Sequence, residues 1–287
     1  KQGMLPPDLP GLWKLPRPPG SGIWRYTKTA PRIFIPLDKE SKTMNLHIIS
    51  CQIIYRELSM AAAKSKNHTV VSWMPQGLHV KPENMPAALQ AEIDRVDGES
   101  AAGKLRRPLD AIVLGYGLCS NGIVGLKART MPLVIPRTDD CIALFLGSQK
   151  RYLDLFQKHP GTYWLNGGWI EEAELPSPEG YRQMRREFAE QYGEENADFL
   201  MESGIGYGWT KNYSACGYIK PGGYEDPAWK SQAAEFASTY GWELFEAQCS
   251  NRLLEKLLSG DWDEEFLVCN PGQTVAASCD ARKIIAQ

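Results

Sequence analysis

The stretch that decides the fold is 110-DAIVLGYGLCSNGIVGL-126, an apolar run that breaks into a glycine-rich turn with a cysteine inside it. Its first half suits a strand buried on both faces, and the glycines then suit a turn at its end. The turn has three readings: a nucleotide loop, a metal loop, or a tight connection between a strand and a helix. The nucleotide reading fails on spacing. A dinucleotide fingerprint requires G-x-G-x-x-G after a strand, yet Gly115 and Gly117 are followed by Ser120 at the third position, and the next glycine is Gly122. The acidic ribose partner is also misplaced, because the following run "PLVIPRTDD" ends with an arginine first. No Gly-Lys-Ser/Thr follows either, so a phosphate P-loop is excluded.

Working outward, runs of the same kind recur with helical segments between them. "LHIIS" (46–50), "TVVSW" (69–73), "DAIVLGYG" and "PLVIP" (132–136) alternate with helix-compatible stretches near 53–66, 83–96 and 148–158. That alternation predicts an α/β fold with a mainly parallel sheet flanked by helices in Rossmann-like layers. Further on, "GTYWLN" and "WELFEAQ" read as strands and "EFLVCNPG" as a final strand entering a turn. Residues 177–203 read as one long charged helix, 230–239 as another, and "NRLLEKLLSG" as a helix closed by Gly260. A second lobe from about residue 160 and the remainder of a single sheet are the two alternatives. Residues 1–43 differ from all of this: "LPPDLPGLWKLPRPPGSG" is proline-rich and has no period. They read as an extended N-terminal arm held by Trp13, Trp24 and Tyr26, with the α/β domain over 44–287 and Met44 as its natural start.

A chain of 287 residues can bury a large core. With a net charge of −2 and a pI of about 6.2, nothing points to a nucleic-acid or other polyanion partner, and none is expected. No apolar run approaches the roughly 20 residues that cross a bilayer, and the start lacks the order of a secretory signal. The seven cysteines are too dispersed for a disulfide scaffold, so a reducing, cytoplasmic setting with free thiols is expected. Only His47, His68, His79 and His159 are available as imidazoles, and none sits in the corrinoid motif D-x-H-x-x-G.

In open parallel sheets, ligands gather beyond the carboxyl ends of the strands. Cys51, His79, Cys119 and Cys141 each come just after one of the first four predicted strands. If those strands are parallel, all four loops open on one side. Three thiolates and an imidazole form a zinc ligand set, and thiolates also hold iron–sulfur clusters. Without CxxC pairs, the topology alone carries this reading, and three small core hydrophobes are the alternative. Cys216, Cys249, Cys269 and Cys279 lack the arrangement and read as packing residues. Beside Cys141, "PRTDDC" offers Arg137 to stabilise a thiolate or bind an anionic substrate, with Asp139 and Asp140 to orient a ligand or cap a helix. "GTYWLNGGWIEE" reads either as a pocket wall with Trp169 and an acid, Glu171 or Glu172, or as core aromatics before a solvated turn.

Taken together and in order, "YGLCSNGIVGL", "PRTDDCIALFLGS", "PGTYWLNGGWIE", "YGEENA" and "GDWDEEFLVCNPG" resemble the uncharacterised family catalogued as domain of unknown function 1638, from about residue 44 to 272. The residues before Met44 depart from the family pattern. The resemblance implies a protein of anaerobic bacteria and methanogenic archaea, associated through genomic context with corrinoid-dependent methyl transfer. It also favours a three-cysteine site, since the matching segments contain Cys51, Cys119 and Cys141. The resulting expectation is a cytoplasmic metalloprotein of methyl-transfer or one-carbon metabolism. Zinc or an iron–sulfur cluster would sit on Cys51, Cys119 and Cys141, with His79 as fourth ligand, and any corrinoid would come through a partner methyltransferase system. One alternative is a non-catalytic accessory protein that holds a corrinoid or that partner, for which the arm or a homo-oligomer would serve assembly. Another is a thiol-dependent enzyme with Cys119 as nucleophile at a helix amino terminus.

Overall fold

The computed structural model describes residues 43–79, 82–203 and 205–287, so nearly all of the expected N-terminal arm lies outside the described residues. The chain opens with β1 (Asn45–Cys51), a 3-10 turn and α1 (Tyr55–Lys64), then β2 (His68–Met74), a 3-10 turn at Gln76–His79 and α2 (Met85–Ala101). It continues through β3 (Ala111–Gly115), β4 (Leu133–Pro136), α3 (Cys141–Leu146) and α4 (Gln149–Lys158). Next come β5 (Thr162–Leu165), α5 (Gly167–Glu172), α6 (Pro178–Tyr192), α7 (Glu194–Glu202) and β6 (Ala215–Lys220). The last elements are α8 (Pro227–Tyr240), β7 (Glu243–Gln248), α9 (Arg252–Ser259), β8 (Phe266–Cys269), β9 (Val275–Ala277) and β10 (Ile284–Ala286).

The central sheet has the order β2-β1-β3-β4-β8. Its first four strands are parallel, and β8 closes the edge antiparallel to β4. The mainly parallel sheet expected from the alternating runs is therefore present. The burial of each strand follows from its place. In β3 and β4 every residue is buried, and in β1 every residue after Asn45, because helices cover both faces. Edge strand β2 keeps only partly buried and exposed residues. The chain leaves β1 to one side for β2 and returns to the other side as β3, so strand order reverses between β1 and β3. The carboxyl ends of such a pair diverge and leave a crevice. At that crossing Ser50 faces Gly115, and a Cβ on Gly115 would run into the Ser50 side chain.

A second parallel sheet, β5-β6-β7, starts at Thr162. Its aromatic core includes Tyr218, Trp229, Phe236 and Trp242, and Trp169 packs against both this core and that of the central sheet. Asp140, Ser148, Asn166, Ser177 and Asp226 each accept a backbone N–H at the start of a helix. Each such cap is worth about 1 kcal/mol. Among the described residues no helix is long and apolar enough to cross a membrane.

Two expectations change. The single helix over 177–203 is two helices, because Gly193 takes φ 86°, a left-handed value that ends α6 and starts α7 at a new angle. "EFLVCNPG" is not the last strand, because the antiparallel pair β9–β10 follows it. Short α3, which begins at Cys141, was not expected either.

Glu57 on α1 is 3% exposed, and its Oε2 has no hydrogen-bond partner among the described residues. Burial pushes its carboxyl up from about 4.5 to about 7, with Arg56 pulling down and Glu171 pushing up. The folded chain thus holds a proton that the unfolded chain releases near pH 4.5. Stability is fully present below that point, falls as pH rises toward about 7, and is flat beyond. Thermal melts at pH 5 and pH 8 should show Glu57→Gln as stable as wild type at the lower pH and several degrees more stable at the higher. Parallel pH profiles for the two proteins would contradict this.

Candidate functional site

Cys51 is the last residue of β1, Cys119 lies just past β3, and Cys141 opens α3 just past β4. Because these three strands are adjacent and parallel, their thiol-bearing ends share one edge of the sheet. Backbone hydrogen bonds join two of the loops: Leu118 N–H donates to Thr138 O at 2.8 Å and Cys119 N–H to Asp139 O at 2.9 Å. Gly117 makes this approach possible, since a Cβ there would stand 2.6 Å from Thr138 Oγ1 and 2.7 Å from the Asp140 backbone. The loop then folds into an unusual turn. Cys119, Ser120 and Asn121 take φ values of 47°, 56° and 66°, three consecutive non-glycine residues in the left-handed region. Each costs roughly 1–2 kcal/mol. Gly122 N–H to Cys119 O and Val124 N–H to Asn121 O, both 3.0 Å, close the turn. Strain of this kind persists only where the surroundings impose it, and it concentrates at functional sites.

The three thiols influence one another. Burial pushes Cys51 up to about 11 and Cys119 up to about 12, and it holds Cys141 well above its ordinary value. For Cys119, the Asp140 carboxylate and Cys51 push further up, while the backbone amides of Gly117 and Cys141 pull down. For Cys141, the charges of Cys119, Asp140 and Cys51 add to burial. Tyr116 is the hub. Its hydroxyl interacts with Cys51, and burial followed by Cys51, Cys119 and Cys141 holds it far above its ordinary value. Every charged neighbour among these main influences is an acid. Asp140 is itself raised by burial; its carboxylate caps α3 by accepting Ile142 N–H at 2.9 Å, and it accepts the Tyr152 hydroxyl at 3.1 Å.

Cys119 and Cys141 border a cavity of about 350 Å³ whose other walls include Asp139, Asp140, Ile142 and Trp169. Trp169 comes from α5, beside the second sheet, and this helix sits on the turn after Cys51. Gly168 makes the seating possible, because a Cβ there would collide with the Ile53 carbonyl oxygen. Glu171 secures α5 from the same side through the Arg56 guanidinium at 2.6 Å and the Tyr55 hydroxyl at 3.2 Å.

The structure thus brings together Cys51, Cys119 and Cys141. The backbone of His79 ends the 3-10 turn beyond β2, and its side chain lies outside the described residues. Arg137 has other partners than the thiols. Its guanidinium donates to the carbonyls of Phe266 and Arg282, each at 3.1 Å, and of Ile284, so it fastens β8 and β10 to the end of β4. It is not among the residues lining the thiol cavity. Asp139 is paired with Lys283 at 2.8 Å and with the Gln149 amide at 2.6 Å. Among the described residues no group of three or more His, Cys, Asp or Glu side chains is arranged to hold a metal ion, so the thiols are neighbours without being a ready-made coordination sphere. Cys216, Cys249 and Cys269 are buried, and Cys279 is exposed. Sequence reasoning missed Tyr116, although its place between Gly115 and Gly117 put it inside the quoted loop.

These environments predict an order of alkylation. Iodoacetamide at pH 8, followed by peptide mass spectrometry on metal-free native protein, should label exposed Cys279 first. Cys51, Cys119 and Cys141 should lag and quicken as pH climbs toward 11. Labelling of Cys119 as fast as Cys279 at pH 8 would contradict the protonated cluster. In the same loops, Gly168→Ala should lower the melting temperature by several degrees, since α5 must lift away from Ile53.

The family model described as "Protein of unknown function (DUF1638)" matches residues 73–258, which takes in Cys119, Asp140, Cys141 and Trp169 and leaves Cys51 outside. No curated protein and no solved structure matches the chain. With well over half of its length inside that match, the chain belongs to the DUF1638 family.

Proposed function

We propose that Cys51, Cys119 and Cys141 are the protein ligands of a thiophilic metal centre, a zinc ion or an iron–sulfur cluster, in a cytoplasmic protein of corrinoid-dependent methyl transfer or one-carbon metabolism. One observation supports the metal above the rest: three thiols from the ends of adjacent parallel strands influence one another, two of them, Cys119 and Cys141, border an open cavity, and only acids stand among their main charged neighbours. Such a cluster is costly to ionise alone. A cation at its centre reverses that sign, because a coordinating thiol is deprotonated outright. Thiolates are soft donors, which favours zinc and iron–sulfur clusters over magnesium or calcium. The donor types fit, and rotation of the thiols would have to complete the geometry.

When bound, the metal would supply Lewis acidity, or an electron relay in the case of a cluster. The chain's own part is preparatory. Tyr116 can donate to ionised Cys51, the amides of Gly117 and Cys141 can stabilise ionised Cys119, and Trp169 walls the cavity on the α5 side. His79 as fourth ligand would make the centre structural, whereas three cysteines alone would leave a position for a substrate thiol. The methyl-transfer setting rests on the family association, and a corrinoid-holding accessory role shares that basis.

A second reading takes Cys119 as a nucleophile, although it opens a turn and not the expected helix amino terminus, so no helix dipole assists it. Its strained turn and two facing amides favour it, while a thiol pushed up to about 12 leaves little thiolate at neutral pH. Anaerobic purification with zinc, iron and acid-labile sulfide analysis of wild type and Cys119→Ala decides between the two. The metal reading expects near-stoichiometric metal in wild type and loss of most of it in the variant, with sulfide marking a cluster. A metal-free wild type that stays metal-free after reconstitution, or a protein indifferent to all three Cys→Ser changes, would overturn it. For zinc, competition with a chromogenic chelator should show affinity rising with pH between 6 and 8, by about tenfold per pH unit for each proton released.

A further inference from the structure

Two of the three thiols form a pair. Cys119 and Cys141 both border the cavity of about 350 Å³, and Cys51 is not among its walls. The loops that carry them are the two tied by backbone hydrogen bonds, Leu118 N–H to Thr138 O and Cys119 N–H to Asp139 O. Gly117 and the Asp140 backbone, next to the two cysteines, are in van der Waals contact, with no room for a Cβ between them. The amide of Cys141 faces the Cys119 sulfur, so the thiol of one residue meets the main chain of the other. Among the charges acting on Cys141, that of Cys119 comes first, ahead of Asp140 and Cys51.

Cys51 is held differently. After burial its main influences are the Ile53 amide, the Tyr116 hydroxyl and Glu172, and no thiol stands among them. A disulfide requires Cα atoms roughly 4.4–6.8 Å apart, which only closely joined segments reach. The Cys119 and Cys141 loops are joined in that way.

We infer that Cys119 and Cys141 form a reversible dithiol–disulfide couple, oxidised by hydrogen peroxide entering through their shared cavity, with Cys51 left as a thiol. Peroxide is the two-electron oxidant. The Cys119 sulfur, its proton given up to water, attacks one peroxide oxygen; the O–O bond breaks and hydroxide leaves, taking a proton to become water. The Cys141 sulfur then attacks the resulting sulfenic acid on Cys119. The S–O bond breaks, the S–S bond forms, and hydroxide leaves with the Cys141 proton as a second water. Two thiols and one peroxide thus give one disulfide and two waters. The Gly117 and Cys141 amides at the Cys119 sulfur favour its ionised form, which places Cys119 first. Burial keeps both thiols protonated and the reaction slow at neutral pH, so the pairing reached, rather than the rate, is the readout.

The couple needs no metal. Where the proposed metal centre is present, the same oxidation removes two of its three cysteine ligands and releases the ion; that consequence alone rests on the metal reading.

The test uses the full chain, as purified and after chelator treatment, as wild type, Cys51→Ser, Cys119→Ser and Cys141→Ser. Each is incubated with a small excess of hydrogen peroxide, unfolded in N-ethylmaleimide and digested without reductant. In wild type and Cys51→Ser, peptide mass spectrometry should find Cys119 linked to Cys141. Free thiols in wild type should fall by two from the seven in the chain, and dithiothreitol should restore them. The Cys119→Ser and Cys141→Ser variants should lack the link, and the wild-type and Cys51→Ser maps decide the pairing even if either fails to fold. Metal released in step with the disulfide would add the regulatory consequence, whereas a disulfide in a protein that never held metal would support the couple and sink the metal reading. A dominant link from Cys51 to Cys119 or Cys141, oxidation confined to exposed Cys279, or sulfinic acid without a disulfide would overturn the couple.

Discussion

At three crossings of this fold, two segments approach closely only because a side chain is missing. Gly115 lets β3 lie against Ser50 of β1, Gly117 lets the Cys119 loop bond to the Cys141 loop, and Gly168 lets α5 rest on the turn after Cys51. All three crossings lie at the carboxyl ends of the central parallel strands. The glycines that first suggest a phosphate cradle instead provide clearance, and the clearance gathers three loops and one helix around the thiols.

That crowding sets the electrostatics. Three thiols, a phenol and a buried carboxyl have been withdrawn from water together, and burial is the first cause that raises each of them. An ordinary core excludes such groups or pairs them with a base. The nearest candidate base in the sequence, Arg137, is spent on backbone carbonyls of the carboxyl-terminal strands. The three thiols are therefore held protonated at neutral pH.

Much of this architecture was legible in the sequence because strand burial leaves a direct trace. "LHIIS", "DAIVLG" and "PLVIP" are apolar without alternation, and covered central strands read that way. The convergence of Cys51, Cys119 and Cys141 followed from their position after those runs. The partners of Arg137 were hidden because sequence proximity to Cys141 says nothing about direction; the strands that capture its guanidinium come more than a hundred residues later. The break at Gly193 was hidden because charged residues continue with helical character on both sides of it. The pair β9–β10 was missed because three-residue strands carry no period. Tyr116 gave no signal, since an aromatic beside a buried strand is ordinary until its neighbours are known.

Arg137 and Asp139 have a consequence for the order in which the molecule is made. Both lie in the segment leading to Cys141, and their partners Arg282, Lys283 and Ile284 belong to the stretch around β10. During synthesis the β1, β3 and β4 ends can meet while those partners are still untranslated. The ties of Arg137 and Asp139 to that stretch therefore form only after residues 282–284 have emerged, late in the making of the chain.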